Sequence, residues 1–286
     1  MNESDPPTSN LSAHADFALS MQKIPGLGRL FLVPSTLDFG CEEQVPLQQV
    51  LPQHTIQIAS KLGFWVCENA KSLRAYLKRV GLVFPLTQSI QQIQIQELPR
   101  LAHKKGDHLQ STAGAQSMDA AVFLNPALQG HDMGLASEAG MPGVADPGSS
   151  LVRAAHTLNI DVIPLVGPSS LLMALSGFGL NGQSFAFVGY LPSEGLALQK
   201  RLRELEALLL KTYQTQIFIE TPYRNNSLFK AMLSTLGPKI RIGLSSALTM
   251  SVATTQCKSV ESWRDWLNKT KQELPKDLPI VFAIGV

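Results

Sequence analysis

Three short stretches of this 286-residue chain have the residue types and spacing of a ligand-binding crevice. SEAGMPGVADPG occupies residues 137–148, VGPSS residues 166–170 and ETPYR residues 220–224. Each follows an apolar run that reads as a strand and precedes a helix-like run. Glycine- and proline-rich loops at the carboxyl ends of neighbouring strands are where α/β sheets bind ligands. Gly140, Gly143 and Gly148 let backbone amides approach a ligand closely. Gly167 and Pro168 start a helix at a second strand end, where Ser169 and Ser170 offer hydroxyls and amides. Asp146 and Pro147 suit the N-cap and first turn of the next helix.

Several other chemistries are disfavoured. No G-x-x-x-x-G-K-[ST] is present and neither glycine-rich loop holds a lysine, so a nucleoside triphosphate does not fit. After the first strand the chain reads VPSTLDFG rather than G-x-G-x-x-G, which disfavours a dinucleotide-binding dehydrogenase. GPSSL is not the G-x-S-x-G elbow of a serine hydrolase. Cys41, Cys67 and Cys257 are far apart, with no C-x-x-C pair for zinc or thiol redox work, and free thiols in a reducing cytoplasm fit best. His156 reads as a partly buried helix residue rather than a general base.

Elements follow from the apolar pattern. Residues 29–33 (RLFLV) and 64–68 (FWVCE) read as buried strands, and residues 70–80 place Leu73, Leu77 and Val80 at helical spacing. A third strand is expected within the glutamine-rich stretch 88–96, a mobile excursion over 101–116 and a helix over 118–128 with Pro126 near its end. Strands at 133–136 and 161–166 lead into the two glycine-rich loops, with a helix over 149–158 between them. Short joins in this order imply parallel pairing with right-handed crossovers. Beyond residue 181 a second series is expected: strands over 185–188, 215–219, 240–244 and 279–284, and helices around Leu198 to Leu209 and over 226–236 and 260–267.

The chain is thus read as an α/β protein with a tail over 1–27, an N-terminal domain over 28–180 and a C-terminal domain over 181–286. With 44% hydrophobic and 16% charged residues its bulk is globular, and a net charge of +2 permits nucleic acid without indicating it. The N-terminus has acids and prolines where a secretory signal would have basic residues and an apolar core. Residues 162–180 contain Pro164, Gly167, Pro168, Gly177 and Gly179, so no membrane span is expected.

LFLVPST, SEAGMPGVADPG, IPLVGPSS, GYLP and IETPYR occur in the order and approximate spacing of the tetrapyrrole methylase superfamily, which this chain resembles over roughly residues 30–286. Within it the chain is most similar to the ribosomal RNA small-subunit methyltransferase I branch. The resemblance implies two α/β domains, a homodimer and S-adenosylmethionine bound in the interdomain cleft, where backbone groups of the glycine-rich loops can hold it without metal. It implies that Val33 and Pro34 close one side of the cofactor, that Glu138, Gly140, Met141 and Val144 line another, and that Gly167, Ser169 and Ser170 reach it from the second loop. By the same resemblance Thr221 and Pro222 would complete the pocket beside Glu220, the preferred candidate for the catalytic base if the acceptor is a ribose 2'-hydroxyl. Glu138 and Asp146 are the other candidates for that base. The alternative roles are structural: a cap for Asp146 and an ion pair with Arg224 for Glu220.

Lys71, Tyr190, Tyr223 and Arg224 are the residues placed on the acceptor, with Lys104, Lys105 and the basic stretch 200–204 as further RNA contacts. Departures from the branch cluster on that side. Its E-D-T-R is here Glu68, Asn69, Ala70 and Lys71, its E-S-P-H-R is Glu220 to Arg224 with Tyr223 replacing histidine, and its E-L-T-K is Ala247 to Met250. A lysine does not reproduce the two-pronged phosphate grip of arginine. Two further readings therefore stand beside RNA methylation: methylation of a tetrapyrrole-like or other small metabolite, and an idle cofactor-binding module that engages a partner protein.

Overall fold

A computed structural model describes residues 26–38, 41, 44–99 and 119–286. Residues 1–25 of the tail expected over 1–27, the excursion expected over 101–116 and Lys104 and Lys105 lie outside the described residues.

Two five-stranded sheets organise the chain. The first contains β1 (Leu30–Leu32), β2 (Phe64–Cys67), β3 (Gln94–Glu97), β4 (Met133–Ala136) and β5 (Val162–Pro164), in the order β3-β2-β4-β1-β5. Every pairing in it is parallel, as the short strand–helix joins require. Parallel strands are covered on both faces. On one face Phe31, Trp65 and Cys67 pack against α1 (Leu47–Val50), α2 (Gln53–Lys61) and α3 (Ala70–Gly81). On the other, Leu30, Val66, Met133 and Leu135 pack against α4 (Asn125–Leu128) and α5 (Ser149–Thr157). Asn69 starts α3 by accepting the amides of Lys71 and Ser72, and Leu73, Tyr76, Leu77 and Val80 form its buried stripe.

The second sheet contains β6 (Phe185–Tyr190), β7 (Thr215–Glu220), β8 (Arg241–Ser246), β9 (Thr254–Ser259) and β10 (Ile280–Gly285), in the order β6-β7-β10-β8-β9. β6 and β7 are parallel and the other pairs antiparallel. α7 (Gly195–Thr212) buries Leu198, Leu202, Leu205 and Leu209 with α8 (Asn225–Thr235) and α9 (Val260–Thr270) against Phe218, Ile242 and Phe282. The neighbouring positions Ile217, Val281 and Ala283 face the other way and meet α6 (Ser170–Phe178). The sequence reading groups α6 with residues 28–180, whereas its core contacts are with the second sheet. Phe178 lies against β8 so closely that a Cβ on Gly243 would be 2.6 Å from the ring.

Other elements differ from expectation for local reasons. Residues 120–128 form a 3-10 turn (Ala120–Leu124) followed by α4, and Pro126 sits in the first turn of α4 rather than near the end of one helix. Proline fits there because a first-turn amide has no intrahelical partner. Gly148, not Asp146, is the N-cap of α5, and its φ of 132° is a conformation that glycine tolerates. His156 is exposed in the last turn of α5, not partly buried. β3 is shorter than the stretch 88–96 and shifted towards its end. α1, α2 and β9 had no counterpart in the sequence reading.

Candidate functional site

The chain leaving β1 is drawn to the other motif loops by its own backbone. Val33 N–H donates to Leu135 O at 2.8 Å, Ser35 N–H to Gly140 O at 2.9 Å and Leu165 N–H to Leu32 O at 3.0 Å. The Ser35 hydroxyl donates to Ser137 O at 3.0 Å. Loops after β1, β4 and β5 are thereby held together at the carboxyl edge of the first sheet. Gly167 makes this contact sterically possible, since a Cβ there would lie 2.3 Å from Pro34 Cβ. Val33 and Pro34 are buried in this junction, and Gly140 is buried behind Leu37 with a φ of 71°.

Where this junction meets the second sheet there is a cavity of about 240 Å³. Leu37, Ala139 and Ser170 line it from the first three loops, and Tyr190, Ile219, Glu220, Thr221 and Pro222 from the ends of β6 and β7. Ser245, Ala247, Leu248, Pro279, Ile280 and Val281 close the remaining wall. Among the site residues read from sequence, Ser170, Tyr190, Glu220, Thr221 and Pro222 are therefore brought together. Val33, Pro34, Glu138, Gly140, Met141, Val144, Gly167 and Ser169 lie in the surrounding loops without lining the cavity itself. Lys71 is exposed at the start of α3, and Tyr223 is 75% exposed beside Pro222. Leu37, Ala139, Ile219, Ser245, Pro279, Ile280 and Val281 carry no site assignment from sequence, whereas Ala247 and Leu248 lie in the stretch set against the branch's E-L-T-K on the acceptor side. Ala139 neighbours Gly140 inside a recognised motif, whereas Pro279 and Ile280 give no sequence signal beyond an apolar strand start.

The three acidic candidates have different surroundings. Glu220 is 5% exposed and both its carboxylate oxygens are engaged. Its Oε2 pairs with Arg224 Nη2 at 2.7 Å, and its Oε1 accepts the Thr221 amide at 2.7 Å and the Thr221 hydroxyl at 3.1 Å. Arg224 is consequently committed to this pair. Glu138 accepts the Ser72 hydroxyl at 2.8 Å, while its own amide donates to Glu68 Oε1 at 3.3 Å. Asp146 follows Ala145, a non-glycine residue with φ of 66°. Burial, with the charges of Glu68 and Glu138 adding to it, pushes its carboxyl up to about 7 against a lowering hydrogen bond from Ser137. Burial also raises the Tyr190 phenol, and the charges of Asp146 and Glu220 raise it further. Tyr190 therefore lies within electrostatic reach of acids from both halves of the site.

Ala247 and Thr249 also have positive φ, of 52° and 75°, and Thr249 Oγ1 is buried with no partner among the described residues. Backbone held in sparsely populated regions gathers at functional sites. Among the described residues, no group of three or more His, Cys, Asp and Glu is placed to hold a metal ion, and no helix is long and apolar enough to cross a membrane.

The arrangement defines a mixed α/β protein with two sheets, whose motif loops enclose a largely apolar pocket edged by hydroxyls and the carboxylate of Glu220. Its sequence relatives are proteins described as ribosomal RNA small subunit methyltransferase I. The Vibrio cholerae protein is 32% identical over 163 residues, covering 56% of this chain and 55% of that protein. The Pseudomonas aeruginosa protein is 32% identical over 145 residues, covering 51% and 50%. The Leptospira biflexa protein is 29% identical over 197 residues, covering 68% and 70%. The resemblance seen in the motifs is thus shown over these lengths, although the chain spans about half the length of the first two relatives. No family model matches the chain. Among solved structures, uroporphyrin-III-C-methyltransferase from Thermus thermophilus aligns with a TM-score of 0.45 at 14% identity, covering 90% of this chain and 94% of that one. The methyltransferase CobJ aligns with a TM-score of 0.49 at 17% identity and the same coverage.

Proposed function

We propose that this chain is an S-adenosylmethionine-dependent methyltransferase of the ribosomal branch, acting on a ribose hydroxyl of small-subunit ribosomal RNA. The observation that carries the reading is the single cavity into which the SEAGMPG loop, the start of α6 and the ETPYR segment all project. These are the motifs by which the chain resembles that branch.

The residues present fit such a cofactor. Leu37, Ile219, Leu248 and Val281 supply apolar walls for a purine, and Ser170, Thr221 and Ser245 supply hydroxyls. Glu220 is the one charged side chain among the cavity residues, so a cationic sulfonium meets no repelling lysine or arginine there. α6 begins at the cavity, and its N-terminal end favours a carboxylate. Thr249 Oγ1, next to the lining residue Leu248, is a buried hydroxyl without a partner among the described residues. When bound, the cofactor supplies an activated methyl group, leaving the protein to orient it and the acceptor.

Tyr190, 59% exposed, lines the cavity and Tyr223, 75% exposed, follows the lining residue Pro222, and both offer faces on which an unstacked RNA base can lie. Arg224 is assigned to holding Glu220 rather than to RNA. The reading also includes a cytoplasmic homodimer with domains over 28–180 and 181–286. Its test is transfer of labelled methyl from S-adenosylmethionine to purified small ribosomal subunits lacking native methylation. Label in the RNA supports the reading. Label only in a tetrapyrrole offered in parallel, or tight cofactor binding without transfer, overturns it in favour of a metabolite enzyme or an idle module.

A further inference from the structure

On the reading that ribosomal RNA carries the methyl acceptor, we propose that the outer face of α3 and the open groove at its C-terminal end grip the sugar–phosphate backbone of that RNA. The buried stripe of α3 leaves Lys71, Arg74, Ala75, Lys78 and Gly81 exposed along the opposite side. Lys71, Arg74 and Lys78 thus form a ridge about 10 Å long, and the chain has no acid between Glu68 and Glu97 to balance it. None of the three makes an ion pair among the described residues. Helix stability does not account for the arrangement. Lys71 lies in the first turn, where the helix dipole disfavours a cation, and Arg74 and Lys78 repel each other one turn apart. α7 shows the contrast: within its basic stretch 200–204 Arg201 pairs with Glu204 at 3.3 Å, and Glu206 follows.

At the C-terminal end of the ridge an open groove of about 640 Å³ separates α3 from the segment 86–91. Lys78 is the one charged residue lining it, and Thr87, Gln88, Ser89 and Gln91 add uncharged hydrogen-bonding groups. The Thr87 hydroxyl donates to Lys61 O at 3.3 Å, which brings the exposed last residue of α2 to the same place. Cations for phosphates, beside amides and hydroxyls for sugar and phosphate oxygens, are what a backbone-binding surface requires. The other end of the ridge joins the motif loops. There the Ser72 hydroxyl donates to Glu138 at 2.8 Å, and Glu138 adjoins the cavity residue Ala139. A strand lying along α3 therefore runs from the groove towards the loops that hold the cavity.

The test is binding of the full chain to small ribosomal subunits lacking native methylation, measured by filter retention over a range of salt. Replacing three exposed cations together, Lys61→Gln, Arg74→Gln and Lys78→Gln, should weaken binding at least ~10-fold at about 0.1 M salt. It should also flatten the fall of log affinity with log salt by about 2, since each phosphate contact on a single strand contributes roughly 0.7. The urea midpoint of this variant should match or exceed that of the parent, and its calorimetric affinity for S-adenosylmethionine should stay within about threefold. Lys200→Gln, Arg203→Gln and Lys211→Gln together remove the same charge from exposed positions of α7, and should change the slope by less than half as much. An α3 variant with the parent's affinity and slope, or equal losses in the two variants, overturns this surface while RNA methylation stands. A parent protein that neither binds nor methylates the subunits overturns the RNA reading and this surface with it.

Discussion

Arg79 on α3 grips Asp38 with both arms of its guanidinium, Nη1 to Oδ1 at 3.1 Å and Nη2 to Oδ2 at 3.0 Å. Asp38 also accepts the Thr36 hydroxyl and, at 2.8 Å, the Val45 amide. The loop after β1 is thereby tied to α3 one residue beyond Leu37, which lines the cavity. The pair is mostly out of water, with the Asp38 side chain 1% and that of Arg79 19% exposed. Removing one partner of a buried pair strands the other charge, so Arg79→Met should lower unfolding stability by about 3 kcal/mol in urea titrations at pH 7.

The same pair sets an acid limb. Burial alone would raise the Asp38 carboxyl, but hydrogen bonds from Arg79, Thr36 and Val45 and the charge of Arg79 outweigh it and hold the group below its usual 3.8. A carboxyl depressed in the folded state contributes stability above its unfolded value and loses it as pH falls through the folded one. The stability difference between the parent protein and Asp38→Asn should therefore be constant from pH 7 to 5. It should shrink at pH values below about 3.8.

Gly167 against Pro34 gives a steric prediction. An alanine Cβ would meet the proline ring at 2.3 and 2.5 Å, and the neighbouring Leu51 Cδ2 at 3.3 Å. The ring cannot swing away as a long side chain would, so Gly167→Ala should force the first and third loops apart. Expected costs are about 1–3 kcal/mol of stability and a loss of S-adenosylmethionine affinity of roughly tenfold, equivalent to ~1.4 kcal/mol, read by calorimetry. Gly143 is the control. A Cβ there meets nothing within 4 Å, and only its φ of 74° opposes substitution, so Gly143→Ala should cost about 1 kcal/mol and leave affinity within threefold.

Sequence pattern and structure agree where one local rule dominates. Residues 70–80 pair an Asn69 cap with apolar positions at helical spacing, and parallel strands in the first sheet follow from short crossovers. They part where long-range packing decides. α6 reads equally well as the end of one domain or the start of the next, and only its fit against Gly243 and Ile217 assigns it to the second core. β9, with the sequence TTQCKS, carries no apolar alternation and is a strand because it pairs along β8 from Arg241 to Ser246. The motif loops announced the site, yet Ser245, Pro279, Ile280 and Val281 also form its wall, from β8 and the start of β10. These residues are placed by sheet order, which no nearby spacing encodes. The ion-pair alternative for Glu220 was legible because Arg224 follows four residues later.

That ion pair also holds one wall of the cavity in place. Arg224 is 24% and Glu220 1% exposed at the side chain, so Arg224→Met should destabilise the protein by about 3 kcal/mol through the stranded carboxylate. Because Glu220 also holds Thr221 at the cavity, cofactor affinity should fall at least tenfold. Loss of affinity without loss of stability would mean that Arg224 touches a ligand directly rather than acting through Glu220.

Asp146 should leave the opposite signature on stability. Its carboxyl is raised from 3.8 to about 7 in the folded chain, first by burial and then by Glu68 and Glu138. Between those values the folded state binds more protons than the unfolded one, so stability falls as pH rises, and the full penalty is present above about 7. Asp146→Asn removes the charge while keeping the shape. Its urea midpoint should match that of the parent near pH 4 and exceed it at pH 8. The gain should be about 2 kcal/mol, discounted for solvent access from the ~4 kcal/mol of the full displacement. A variant equally stable at both pH values would show that Asp146 titrates as an ordinary surface acid.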